Sequence, residues 1–349
     1  MLPGYVAGDH RYDEAHIDLE GLARFAGALF VRDEVVGIER GRKRVLCLGR
    51  EPLDYDLLAI NTGSAPRMAE TPGAAEHAVG VKPIDGFAAR WEAILDRVRA
   101  RDGVRSIAVV GGGAAGVEVV LAIQHRLRAE IGAGGRDPRA IALHLLSAGP
   151  TILATHNARV RSALLRILAE RGVSVHLNAE VTSVSAAGVR TARESFIHAD
   201  EVIWATRAQG APWLRSTGLD LDEGGFVRVD HTLQTRTDPL IFASGDVASL
   251  DNPSVEKAGV FAVRQGPVLA GNLRRAVEGR PLKQYRPQRS WLAILGTGDH
   301  YAVASRGRFK AEGRWVWRLK RWIDARFMAR FAGLESANRS RTRPTRGTD

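Results

Sequence analysis

A chain of 349 residues, 45% hydrophobic and 26% charged, is long enough to bury two or three cores of ordinary domain size and too apolar to be disordered. Its one cysteine, Cys47, excludes an internal disulfide and a CxxC dithiol, so reductive chemistry would have to come from a bound group in a reducing compartment. Of the net charge of +11, nearly all lies near the C-terminus: residues 306–330 carry nine arginines and lysines against Glu312 and Asp324, which argues against a general nucleic-acid binder and for one local basic surface.

Residues 28–60 alternate short β-rich runs (ALFV, VVGIE, RVLCL, YDLLAI) with charged turns, as in an antiparallel hairpin insertion that ends in NTGSAPR. Val81 to Phe87 reads as a crossing into a second unit, with Pro83 breaking structure before a helix over Phe87–Arg101. From Ser106 the chain reads SIAVVGGGAAGVEVVLAI, an apolar strand, a glycine turn and a helical run. In that context Gly111 permits the tight turn, Gly113 lets backbone approach a pyrophosphate, and Gly116 lets helix and strand pack closely, with the phosphates on the helix N-terminus. The next strand, Ile141 to Leu146, ends on Ser147 where an acid for the adenosine ribose hydroxyls is expected. Ser147 suits either a hydroxyl or a 2′-phosphate, with Arg159 a candidate phosphate partner, so NAD against NADP stays open. ADEVIWATRAQG is a strand ending in Ala205 and Thr206, and PLIFASGDVASL is an apolar strand that ends on Gly245 and Asp246.

Trp315, Leu319, Trp322, Ile323, Phe327, Phe331 and Leu334 follow helical spacing, with cations elsewhere on the circumference. This composition suits a helix lying in a membrane interface through residues 314–334. The same pattern suits a helix that closes its own domain or a homodimer interface. Beyond it, residues 335–349 form a basic tail with too little apolar content to order. No run approaches the roughly 18 apolar residues of a membrane span, and Met1-Leu-Pro-Gly lacks the features of a signal peptide. A cytoplasmic chain at the inner face of the cell membrane is expected.

YDLLAINTGSAPR, VVGGGAAGVE, VIWAT, LQTRTDPLIFASGD and KAGVFAVRQGPVLAGNL resemble, in order and spacing, the pyridine nucleotide-disulfide oxidoreductase superfamily. Within it the chain looks most like type II NADH dehydrogenases, and closer still to the flavoprotein module found fused to selenide, water dikinase. The resemblance implies an α/β fold with two doubly wound Rossmann-like domains. An FAD domain is split over 1–85 and 214–284, an NAD(P)H domain spans 86–213, and a small α+β domain with the amphipathic helix spans 285–334. The family's first βαβ unit, with its own glycine fingerprint, has no counterpart before Met1. The FAD domain is therefore expected to be incomplete at its N-terminus, with the true start upstream.

Carried over residue by residue, the resemblance makes Asp246 the acid on the flavin's ribityl chain and Gly245 the point of backbone approach. Thr62 and Gly63 become the turn near the FAD phosphates, although Asn61 stands where alanine is usual. Leu2 and Pro3 pass the flavin ring. Gln265 matches one of two adjacent glutamines near the quinone pocket, the other being replaced by Arg264. Glu118 matches an acid near nicotinamide and flavin that relays protons, while its other reading is a solvated carboxylate favoured by the helix dipole. Arg207 replaces a glycine of the turn after Thr206. The resulting expectation is an FAD-dependent NAD(P)H oxidoreductase with a quinone as acceptor. The alternatives are reduction of a selenium or sulfur compound and an FAD-free nucleotide-binding protein.

Overall fold

The computed structural model describes residues 1–332 except 101–103, 136, 138–139, 207, 251–256 and 289. The expectations placed on Arg207, on Leu334 and on the 335–349 tail lie outside the described residues.

The apolar run before the glycine turn forms the strand Ser106–Val110 at the centre of a five-stranded, wholly parallel sheet. Its neighbours are Glu201–Trp204 and, beyond that, Ala78–Gly80 on one side, and Ala142–Leu146 and then Val173–His176 on the other. Ile107 to Val110 are all buried, as a strand covered on both faces requires. The helices Ile84–Arg99 and Ala114–Ala133 cover the sheet. On the first of these, Phe87, Trp91, Ile94, Leu95 and Val98 recur at helical spacing and are at most 2% exposed, each contributing roughly 1.5–3 kcal/mol of apolar burial. Pro83 is its N-cap, so the helix opens at Ile84, three residues before the position read from the sequence.

The 28–60 region is partly as expected. Val35–Glu39, Arg44–Cys47 and Leu53–Asp54 form an antiparallel three-stranded sheet. ALFV, however, is in no strand, with Leu29 and Phe30 exposed. YDLLAI supplies no strand to the hairpins: of this run only Leu58–Ile60 is in a strand, and it pairs in parallel with Ile241–Ala243. A second core of Ile60, Leu214, Val227, Val229, Ile241 and Ala243 lies around this pair.

The third block is an antiparallel sheet of Ala293–Gly296, Ala302–Arg306 and Phe309–Gly313, followed at once by the helix Arg314–Met328. Alternation along Ala302–Arg306 divides its faces: Ala302 and Ala304 pack with Val316 of that helix, whereas Val303 joins the core of the parallel sheet. The chain therefore has the α/β, Rossmann-like architecture that its sequence implies.

Candidate active site

Two turns at the tips of parallel strands define the site, and a short crossover ties them together. Ala208–Gln209, just beyond Thr206, pairs antiparallel with Ala65–Pro66, just beyond Gly63. The loop after the Glu201–Trp204 strand is thereby held against the loop after Leu58–Ile60.

At the first turn the three glycines have separate reasons. Gly111 has φ +129°, and a Cβ there would overlap the Ala205 carbonyl. A Cβ on Gly116 would overlap the carbonyl oxygen of Gly111. Gly113 is the N-cap of Ala114–Ala133, and a Cβ on it would meet nothing within 4 Å. The space over this helix N-terminus is open, with unpaired first-turn amides and the positive end of the helix dipole toward it, which fits a pyrophosphate. Ser147 lies beneath the turn. It is 5% exposed and donates its hydroxyl to the Thr151 carbonyl at 3.0 Å, under the Cα of Gly112. Arg159 is exposed on the following helix, and Thr206 is half-buried at the tip of its strand.

Glu118 occupies the second turn of the fingerprint helix and reaches the C-terminal sheet. Its Oε1 accepts the Gly296 N–H at 2.8 Å. Burial pushes this carboxyl above the ordinary carboxylate range, against the downward pull of the Lys320 ammonium and the Gly296 N–H. Lys320 is itself 3.5 Å from Asp324. Pro3, in the helix Leu2–Ala7, lines a small cleft with Gly296, Lys320 and Asp324.

At the second turn, Asp246 lies just past Ile241–Ala243 and its side chain is 19% exposed. Its Oδ2 accepts from Lys82 Nζ at 2.7 Å, and Lys82 also reaches Ser64 Oγ at 3.2 Å. Asn61 donates to both the carbonyl and the hydroxyl of Ser244 at 2.8 Å, locking the two strand tips together. Gly245, at φ +72°, donates its N–H to Gln265 Oε1 at 2.6 Å. Gln265 is 3% exposed whereas Arg264 beside it on the helix Gly259–Val277 is exposed, so only Gln265 faces inward. Gly63, also at φ +72°, has open space where a side chain would stand, with Thr62 exposed beside it.

These residues suit two different groups. The open glycine N-terminus suits the diphosphate of a dinucleotide, and Asp246 at a strand tip, beside the open Gly63 turn, suits the hydroxyls of a flavin side chain. Lys82, Lys320 and Gly296 were not singled out by sequence, and Asn61 stood out only as a departure from the usual alanine. Only the crossing at VKPIDGF hinted that Lys82 stands between the two units.

A family model, pyridine nucleotide-disulphide oxidoreductase, matches residues 5–268. The chain belongs to that family, whose members use FAD and NAD(P)H. It is 28% identical over 285 residues to demethylphylloquinone reductase NdbB of Synechocystis, a match covering 78% of this chain and 68% of that one. It is 30% identical over 187 residues to the type II NADH:quinone oxidoreductase of Haemophilus influenzae, covering 52% of this chain and 42% of that protein. The NDH2 structure from Plasmodium falciparum in complex with NADH superposes with a TM-score of 0.79 at 15% identity, covering 92% and 85% of the two chains, a likeness of fold.

Proposed function

We propose that this protein is an NAD(P)H:quinone oxidoreductase that works at a membrane surface. The carrying observation is the crossover Ala65–Pro66/Ala208–Gln209 with the Lys82–Asp246 pair, which holds the dinucleotide turn and the flavin turn against each other. FAD, when bound, supplies the two-electron relay between nicotinamide and acceptor. The chain's own work is placement. Gly113 and the helix N-terminus seat the dinucleotide diphosphate, Asp246 and the Gly63 turn hold the flavin side chain, and Lys82 presents a cation beside them. Glu118, whose pKa burial raises and which Lys320 faces, is suited to a proton-exchange role. Gln265 supports the flavin turn through Gly245. The type II NADH:quinone relatives support the quinone as acceptor.

Membrane contact is supported by the helix Arg314–Met328. Val316 is buried in its domain, while Trp315, Trp322 and Ile323 are 58, 60 and 39% exposed, with Arg326 stacked over Trp322. Exposed indoles interleaved with cations suit an anionic lipid surface. No described helix is long and apolar enough to cross a membrane.

The reading is tested by adding FAD, titrating anaerobically with NADH and with NADPH while following flavin absorbance, then adding a soluble quinone. Bleaching followed by recovery supports it. Absence of bleaching with both nucleotides refutes the NAD(P)H role, and bleaching without recovery refutes the quinone.

A further inference from the structure

Between the parallel-sheet unit and the C-terminal sheet lies a cavity of about 180 Å³, lined by Thr155, His156, Asn157, Trp291, Ala293 and Ser305 among others. His156 Nδ1 and Ser305 Oγ are 3.0 Å apart, and Ser305 is 6% exposed. Ser305 is placed there by strand alternation, since it shares the inner face of Ala302–Arg306 with Val303. Asn157 fixes the loop to that sheet by donating its amide to the carbonyls of Gly307 and Phe309, and its Oδ1 caps the next helix at Val160. The cavity wall is thus a built contact between two units.

Its position ties it to the redox site. Trp291 packs edge-on against Phe261, at 5.0 Å between centroids, on the helix whose Gln265 holds Gly245. The strand from Ala293 leads to Gly296, which Glu118 binds; three residue steps span roughly 10 Å. A volume of 180 Å³ is below the roughly 300–1,000 Å³ of a drug-sized ligand and sufficient for a ring.

We infer that this cavity seats the ring of the quinone acceptor, with Trp291 as the aromatic wall and the His156–Ser305 pair at a carbonyl oxygen. The inference rests on the quinone reading above. A carbonyl oxygen only accepts, and Thr155, His156, Trp291 and Ser290 all carry donors. Reduction adds two electrons and two protons to the quinone. The electrons originate in NAD(P)H, which leaves as NAD(P)+, and FAD, when bound, would relay them. Two protons are taken up at the quinone oxygens and the hydride's own proton is released, a net uptake of one. His156 delivers one of the two and regains it from solvent.

The test uses the full chain with FAD, the variants His156→Ala, Ser305→Ala and Trp291→Phe, and a short-tailed benzoquinone. Calorimetry should show affinity for the oxidised protein reduced about threefold to tenfold in the first two variants, the range one hydrogen bond accounts for. Acceptor KM should rise with it, while the rate of flavin bleaching by NAD(P)H stays within twofold. Loss of kcat at high pH in His156→Ala beyond that of wild type would mark proton delivery. Unchanged quinone affinity in both His156→Ala and Ser305→Ala overturns the site while leaving the quinone reading intact. If wild type binds no quinone, both fall. Should His156→Ala fail to fold, Ser305→Ala and Trp291→Phe carry the same comparison.

Discussion

Lys82 Nζ and Asp246 Oδ2 meet at 2.7 Å across 164 residues of sequence, and the carboxylate is the more buried partner, at 19% side-chain exposure against 46%. Lys82 therefore orients Asp246 more than it stabilises the fold, as an ion pair with an exposed member contributes little. Asp246→Asn keeps the shape and removes the charge. It should weaken FAD by about 1.5–3 kcal/mol, the worth of hydrogen bonds to a charged group, measured by quenching of flavin fluorescence on titration. Lys82→Met should weaken it less. Equal FAD affinity in wild type and Asp246→Asn would remove Asp246 from the flavin site.

The fingerprint glycines should separate by assay. Gly116→Ala drives a methyl into the Gly111 carbonyl, backbone against backbone, and should cost about 3 kcal/mol of stability or more by denaturant titration. Gly113→Val places its side chain in open space, so thermal stability should hardly fall. It should raise KM for NAD(P)H by tenfold or more through blocked diphosphate approach, with FAD binding unchanged. A Gly113→Val protein with normal NAD(P)H kinetics would show that no diphosphate sits at this helix.

The glycine turn was legible because its reasons are local: a positive φ, a neighbouring carbonyl, a helix start. The helix over Phe87–Arg101 was legible from its apolar spacing, and its start was misplaced because Pro83 serves as N-cap instead of breaking structure further along. The pairs that assemble the site were not legible. Asn61 meets Ser244 and Lys82 meets Asp246 only because Leu58–Ile60 joins Ile241–Ala243, a pairing that a run such as YDLLAI does not announce. Buried Glu201, ion-paired with Arg90 at 2.8 Å and with Arg97, is similar: a charge inside VIWAT's strand makes sense only once the helix Ile84–Arg99 lies across it. The aromatic stripe was half legible. Periodicity placed Trp315 and Trp322 on one face and left open whether that face is inward. The sheet decides it by taking Val316.

Glu118 should mark the pH dependence of stability. A carboxyl whose folded pKa is raised binds its proton more tightly folded than unfolded, so its contribution is full below the ordinary carboxylate range and is lost as pH rises through the folded pKa. Glu118→Gln, which can still accept the Gly296 N–H, removes that loss. The variant should melt higher than wild type at pH 8 and equally at pH 4, and its quinone reductase rate should fall if the carboxyl moves protons. A variant that melts lower at pH 8 would mean that the pull of Lys320 outweighs burial.

Membrane binding should depend on two side chains that the fold does not need. Trp315 and Trp322 are more than half exposed, so replacing both with Ala should leave the melting temperature within a few degrees, since exposed substitutions rarely exceed about 0.5 kcal/mol each. Deleting the helix would instead remove buried Val316 and confuse binding with folding. In wild type the indoles add apolar burial to roughly 1 kcal/mol per basic residue near an anionic surface. The protein should sediment with vesicles of phosphatidylserine and phosphatidylcholine and be released in part by 1 M salt, which shortens screening to about 3 Å. The double variant should sediment at least tenfold less, with NAD(P)H oxidation by a soluble dye intact. If wild type and double variant partition alike, the exposed face is not the docking surface, and a dimer read by sedimentation velocity becomes its explanation.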